Sequence, residues 1–243
     1  FLSYLFGAPK RDNWVVLMAG GRGTRLYPLT KDTPKPLLDV GGKPLLETII
    51  NNFIDYGFYN FLISVHYLSE KIVDYFEDGS RFGANIEYIF EDKALGTAGP
   101  LSMLKKKPDK PLFVMNGDIL PNVNMLDILN YHNEHESDIT LCVRQYSFQV
   151  PYGVVRFDEN YELTEIQEKP LHHYFASAGI YVLNPDMIDY VPHNEEFTIP
   201  ELVQSVQSAG RKTAVCPIRE YWLDIGQHND FDRANNEYAS IFK

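Results

Sequence analysis

The chain has 243 residues, 44% of them hydrophobic, enough to bury a substantial core in one large domain or two small ones. A net charge of −11 makes nucleic acid an unfavourable partner, because an acidic surface repels a phosphate backbone. No apolar run approaches the roughly 18 residues of a membrane span, so no membrane partner is expected.

Residues 1–6 are apolar but short and follow no basic region. They read as a linker or the tail of a missing upstream domain rather than a signal peptide, and residues 1–13 are assigned to it. Residues 14–18 (Trp-Val-Val-Leu-Met) predict a buried first strand that stops at a glycine loop beginning Ala19-Gly20-Gly21. Pro28, Pro34 and Pro36 keep the next stretch out of helix. Pro44 then opens a helix with Leu45, Leu46, Ile49, Ile50, Phe53 and Ile54 on one side, closed by Gly57.

Strands follow at 61–65, 86–90 and 111–115, and a helix capped by Ser69 separates the first two of these. Residues 96–104 read as a loop and helix, 125–135 as a helix and 139–143 as a strand. This βα alternation predicts an α/β class with a Rossmann-like, mostly parallel sheet flanked by helices. Further on, 153–157, 163–167, 175–183 and 213–218 are strand-like, while 185–190, 200–206 and 229–242 are helical. We therefore expect one domain over 14–243 with a small sugar-binding subregion in the second half. Cys142 and Cys216 lie in separate strand-like runs and form no CxxC pattern, which suits structural thiols in a reducing cytoplasm.

The charge is uneven. Residues 22–43 hold Arg22, Arg25, Lys31, Lys35 and Lys43 against Asp32 and Asp39, which suits a small polyanion. The same stretch overlaps the run Leu17-Met-Ala-Gly-Gly-Arg-Gly-Thr-Arg-Leu26, followed by Thr33-Pro-Lys-Pro-Leu37. Glycines at 20, 21 and 23 let several backbone N–H groups point at one spot and cradle an anion. Arg25 can fork across two phosphate oxygens, and Lys35 is a compact charge held between prolines. A P-loop needs a Lys-Ser/Thr pair that is missing here, and a dinucleotide fingerprint needs glycine where Leu26 stands.

The run resembles the motif of the sugar-phosphate nucleotidyltransferases, also called nucleoside-diphosphate-sugar pyrophosphorylases. The resemblance spans about Trp14 to Tyr238 and is greatest to the mannose-, heptose- and hexosamine-1-phosphate guanylyltransferase types. It implies a cytoplasmic, magnesium-dependent enzyme whose partners are a nucleoside triphosphate and a sugar 1-phosphate. It further implies that Arg25 holds the triphosphate and Lys35 contacts phosphate at the reacting end, beside Ala19, Gly20, Gly21, Gly23 and Thr24. Asp118, in Asn116-Gly117-Asp118, and Asp224, in Trp222-Leu-Asp-Ile-Gly226, would hold Mg2+. A hard cation offsets the roughly six negative charges that two such substrates bring together.

By the same resemblance Asn116, Gly153, Glu168 and Lys169 face the sugar phosphate. Glu91, Gly96 and Thr97 face the base; a carboxylate at Glu91 can accept from the N1–H and N2–H2 of guanine, which favours GTP. Thymidylyl, uridylyl and cytidylyl transfer are the alternatives within the family. A non-catalytic module that binds nucleotide sugars for regulation is the alternative outside it. Homo-oligomerisation is left open by the sequence.

Overall fold

The structure is a computed structural model and describes residues 8–242. The reading of residues 1–6 as a linker or tail lies outside the described residues. Strand β1 (Arg11–Met18) runs through the middle of the sheet. Val15 and Leu17 enter one buried cluster and Val16 enters another on the opposite face. A strand covered on both faces needs apolar side chains at successive positions, hence the unbroken run at 14–18. The strand starts earlier than that run because Arg11 N–H donates to the Gly57 carbonyl and Arg11 Nε to the Tyr56 carbonyl.

Helix α1 (Leu45–Asp55) begins after Pro44 and ends before Gly57, whose φ of 86° is open to glycine at little cost. Its predicted apolar side is buried apart from the half-buried Ile54, and Phe53 meets Phe58, Phe61 and Phe113 edge-on at 5.9, 6.2 and 5.2 Å between ring centroids. Each such buried ring is worth about 1.5–3 kcal/mol. Then come β2 (Phe58–Val65), α2 (Ser69–Phe76), β3 (Asn85–Phe90), β4 (Leu112–Asn116), β5 (Ile119–Asn122), α3 (Met125–Glu134) and β6 (Ile139–Gln149). The second half adds β7 (Gly153–Phe157), β8 (Leu163–Glu168), β9 (Leu171–Leu183), α4 (Ile199–Ser208), β10 (Thr213–Pro217), β11 (Tyr221–Asp224) and α5 (His228–Ile241).

Among the described residues seven strands form the main sheet in the order β10-β6-β9-β4-β1-β2-β3. β1 pairs in parallel with β2 and β4, whereas β9 lies antiparallel between β4 and β6. The antiparallel insertion follows from chain reversal. β6 runs on to Gln149, and the chain returns through the β7–β8 hairpin, so β9 re-enters pointing the other way. Segments Gly99–Met103 and Pro185–Tyr190 are 3-10 turns rather than α-helices, each with proline in its first positions and too short to nucleate a longer helix. Cys142 and Cys216 are register partners on β6 and β10, both buried and both free thiols. Among the described residues no helix is long and apolar enough to cross a membrane.

After β1 the chain builds β2 and β3 on one side, then crosses to place β4 on the other. That reversal of direction opens a crevice at the carboxyl ends of β1 and β4.

Candidate active site

Gly117 N–H donates to the Met18 carbonyl at 2.9 Å, which draws the end of β4 against the end of β1. A Cβ on Gly117 would lie 2.9 Å from that same carbonyl oxygen, so the approach requires glycine. The cleft so formed has a volume of about 280 Å³. Ala19, Gly20, Gly21 and Lys35 line one side, and Asn116 and Asp118 line another. Glu91, Gly96 and Thr97 complete the predicted set that meets there.

The glycines have different duties. Gly23 sits at φ 60°, its carbonyl accepts from Leu26 N–H and Thr30 Oγ1, and an added Cβ would come within 2.9 Å of Thr30 and 3.0 Å of Lys35. Among the described residues Gly21 has nothing within 4 Å of an added Cβ, although it lines the cleft. We expect Gly23→Ala to lower the melting temperature and disturb the loop. If the loop holds a triphosphate, as the sequence motif implies, Gly21→Ala should melt normally and weaken that binding about tenfold by crowding the ligand. Thermal melts and titration calorimetry on the two variants check this, and equal melting losses would contradict it.

Asp118 and Asp224 are separated by over a hundred positions and meet through a two-stranded antiparallel sheet of β5 and β11. Asp224 is the register partner of Ile119, and Ile225 N–H donates to the Asp118 carbonyl at 3.0 Å. Asp224 has a pKa raised above the ordinary 3.8, first because the surrounding protein desolvates it, then because the Asp118 carboxylate repels its charge. Lys35 and Arg25 pull the other way, which places all four charges in one neighbourhood. Lys35 Nζ donates to Asp118 Oδ2 at 2.7 Å from a nearly buried position. The Arg25 guanidinium lies against Gly226, with Nη1 3.5 Å from where a Cβ would stand, and takes no protein hydrogen bond or ion pair among the described residues. Asn116 Oδ1 is buried without a partner among the described residues, an acceptor available to a ligand donor in the cleft.

Glu91 is more engaged than the sequence reading allowed. Its Oε1 accepts from Ser64 Oγ at 2.6 Å and its Oε2 from Leu95 N–H at 2.9 Å. It therefore fixes the 91–95 loop, leaving only its remaining lone pairs for a base. Gly96, at φ 75°, approaches the Phe197 carbonyl too closely for any Cβ, and Thr97 Oγ1 accepts from Ile199 N–H at the start of α4. Ser64, Leu95 and Phe197 are thus supports that motif reading missed; the polar Ser64 inside the apolar run at 61–65 was the available signal for one of them.

Gly153, Glu168 and Lys169 form a separate cluster on the β7–β8 hairpin and do not line the cleft. Gly153 is the register partner of Glu168, and Lys169 N–H donates to the Tyr152 carbonyl at 3.3 Å. Both Glu168 and Lys169 extend into solvent.

A Rossmann-like sheet that carries a glycine loop, two cations and two carboxylates at its switch point belongs to the α/β folds in which a loop beyond the strand ends can receive an anionic ligand. Residues 14–241 match the nucleotidyl transferase family, and the chain belongs to it. It is 32% identical over 228 residues to a mannose-1-phosphate guanyltransferase of Pichia angusta, covering 89% of this chain and 61% of that protein. It is 31% identical over 238 residues to a UTP–glucose-1-phosphate uridylyltransferase of Synechocystis, covering 90% and 61%. The chain thus spans about three fifths of the length of these curated relatives. Among solved structures, HddC from Yersinia pseudotuberculosis superposes with a TM-score of 0.71 at 24% identity, covering 93% of this chain and 99% of that one, a likeness of fold.

Proposed function

We propose that this chain transfers a nucleoside monophosphate from a nucleoside triphosphate, GTP by preference, to a sugar 1-phosphate and releases pyrophosphate. The observation that carries the reading is the convergence of Asp118, Asp224, Lys35 and Arg25 beside the glycine loop. An oxygen of the sugar 1-phosphate attacks the α-phosphorus, and the bond from that phosphorus to the bridging oxygen of the β-phosphate breaks. The attacking oxygen is already ionised at neutral pH, so no general base is required. Catalysis is then positioning and charge stabilisation.

The loop from Ala19 to Thr24 receives the phosphates on backbone N–H groups. Arg25, unpaired within the described residues, grips the departing pyrophosphate. Lys35 holds phosphate oxygen at the reacting centre. The donor set fits Mg2+: two hard carboxylates repel each other at one point, and an ammonium already rests on one of them. When bound there, Mg2+ offsets the charge of both substrates. Among the described residues no three His, Cys, Asp or Glu side chains gather as a metal site, so the remaining ligands would be phosphate oxygens and water.

Gly96 and Thr97 present backbone groups to the base, with Glu91 fixing their loop and offering its free lone pairs to a guanine edge. Asn116 accepts from a sugar hydroxyl, and Gly153, Glu168 and Lys169 reach the sugar and its phosphate from the hairpin. A matrix of four nucleoside triphosphates against a panel of sugar 1-phosphates, read as phosphate after added pyrophosphatase, tests the reading. We expect release that needs both substrates and is fastest with GTP. Faster release with UTP, the donor named for one relative, would reassign the base; binding without release in every cell of the matrix would make the chain a nucleotide-sugar sensor.

A further inference from the structure

Lys35 and Asp118 form an ion pair in which the ammonium side chain is 8% exposed and the carboxylate 32% exposed. Lys35 Nζ has no second hydrogen-bond partner among the described residues. The catalytic reading, on which this inference rests, asks each member of the pair to do something else: Asp118 to hold a divalent cation, Lys35 to hold phosphate. An ammonium and a divalent cation on one carboxylate repel each other, and the low local dielectric sharpens the conflict.

We propose that Lys35 competes with the divalent cation for Asp118 and that an incoming triphosphate ends the competition by taking the ammonium over. Neither exchange is favourable alone. A cation arriving by itself would strand a nearly buried ammonium, and a triphosphate arriving by itself would strand a carboxylate. Together the two exchanges leave every charge paired. The flanking Pro34 and Pro36 fix the Lys35 backbone, while its long stem can carry the ammonium from carboxylate to phosphate. Metal and triphosphate therefore bind as a coupled pair, and Lys35 sets the coupling.

The test separates the two exchanges. Binding of Mn2+ without nucleotide is followed by the electron paramagnetic resonance signal of the free ion, for the wild type, Lys35→Met and Arg25→Met. Each variant loses one positive charge near the carboxylates, but only Lys35 touches Asp118. We expect Lys35→Met to bind Mn2+ about tenfold tighter than the wild type and Arg25→Met no more than about threefold tighter. In the converse arm, a non-hydrolysable triphosphate is titrated calorimetrically in EDTA. Asp118→Asn, which frees Lys35, should bind about tenfold tighter than the wild type, with Asp224→Asn gaining much less.

Equal gains within either pair of variants, or no gain at all, would overturn the competition while leaving the metal site in place. Failure of every form to take up Mn2+, alone or beyond what the triphosphate itself chelates without protein, would instead remove the metal-site reading on which the inference stands. Melting curves confirm that the variants fold, and Lys35→Gln replaces Lys35→Met if the latter does not.

Discussion

Arg25→Ala is expected to lower turnover about a thousandfold while the protein melts as before, because removing one preorganised charge-stabilising donor typically costs about 10²–10³ in rate. The side chain is exposed and takes no protein hydrogen bond or ion pair among the described residues, so truncation removes nothing the fold relies on. Its guanidinium instead lies over Gly226, two residues beyond Asp224, where a departing pyrophosphate would meet it. Pyrophosphate release and a melting curve on the same preparation check both halves. Near-normal turnover would remove Arg25 from the chemistry.

Asp224→Asn should have two effects of opposite sign. Turnover should fall by about a hundredfold or more, with a shifted magnesium titration, because a neutral amide is a poor ligand for a hard cation. Stability without metal should rise. Desolvation and the neighbouring Asp118 raise the pKa of Asp224 in the folded chain, so the native state holds this proton more tightly than the unfolded state does. Stability contributed by the group therefore falls as pH climbs from the ordinary carboxylate value through the raised one, and the full penalty applies at neutral pH. Asparagine removes that penalty. The gain is small, on the order of 1 °C, because the side chain still opens to screening solvent. A variant that loses metal response and also melts lower at neutral pH would contradict this view of a carboxylate held against its electrostatic preference.

The parts legible in the sequence were those governed by local chemistry. The apolar run at 14–18, the proline and glycine that bracket α1, and the glycines of the first loop each act over a few residues, and each appears where expected. The seven-stranded order was not legible. Whether β9 inserts between β4 and β6 depends on which strands the chain meets when it returns after the hairpin, and no local pattern encodes that long-range pairing. Residues 119–122 and 221–224 carry no strand signal of their own for a related reason: each is a short strand of four residues that, among the described residues, pairs only with the other. Yet that pairing is what brings Asp118 to Asp224. Glu91 shows the converse limit, since the motif marks the residue while Ser64 and Leu95, which hold its carboxylate, carry no motif of their own.

The central claim is that Asp118 and Asp224 share one divalent cation at the mouth of the glycine loop. Anomalous scattering from crystals grown with Mn2+ and a non-hydrolysable nucleoside triphosphate addresses it directly. The account predicts an anomalous peak within coordination distance of both carboxylates and of the triphosphate, with Lys35 turned from Asp118 toward phosphate. A peak bound by other side chains, or a triphosphate seated away from the loop between β1 and Arg25, would contradict it.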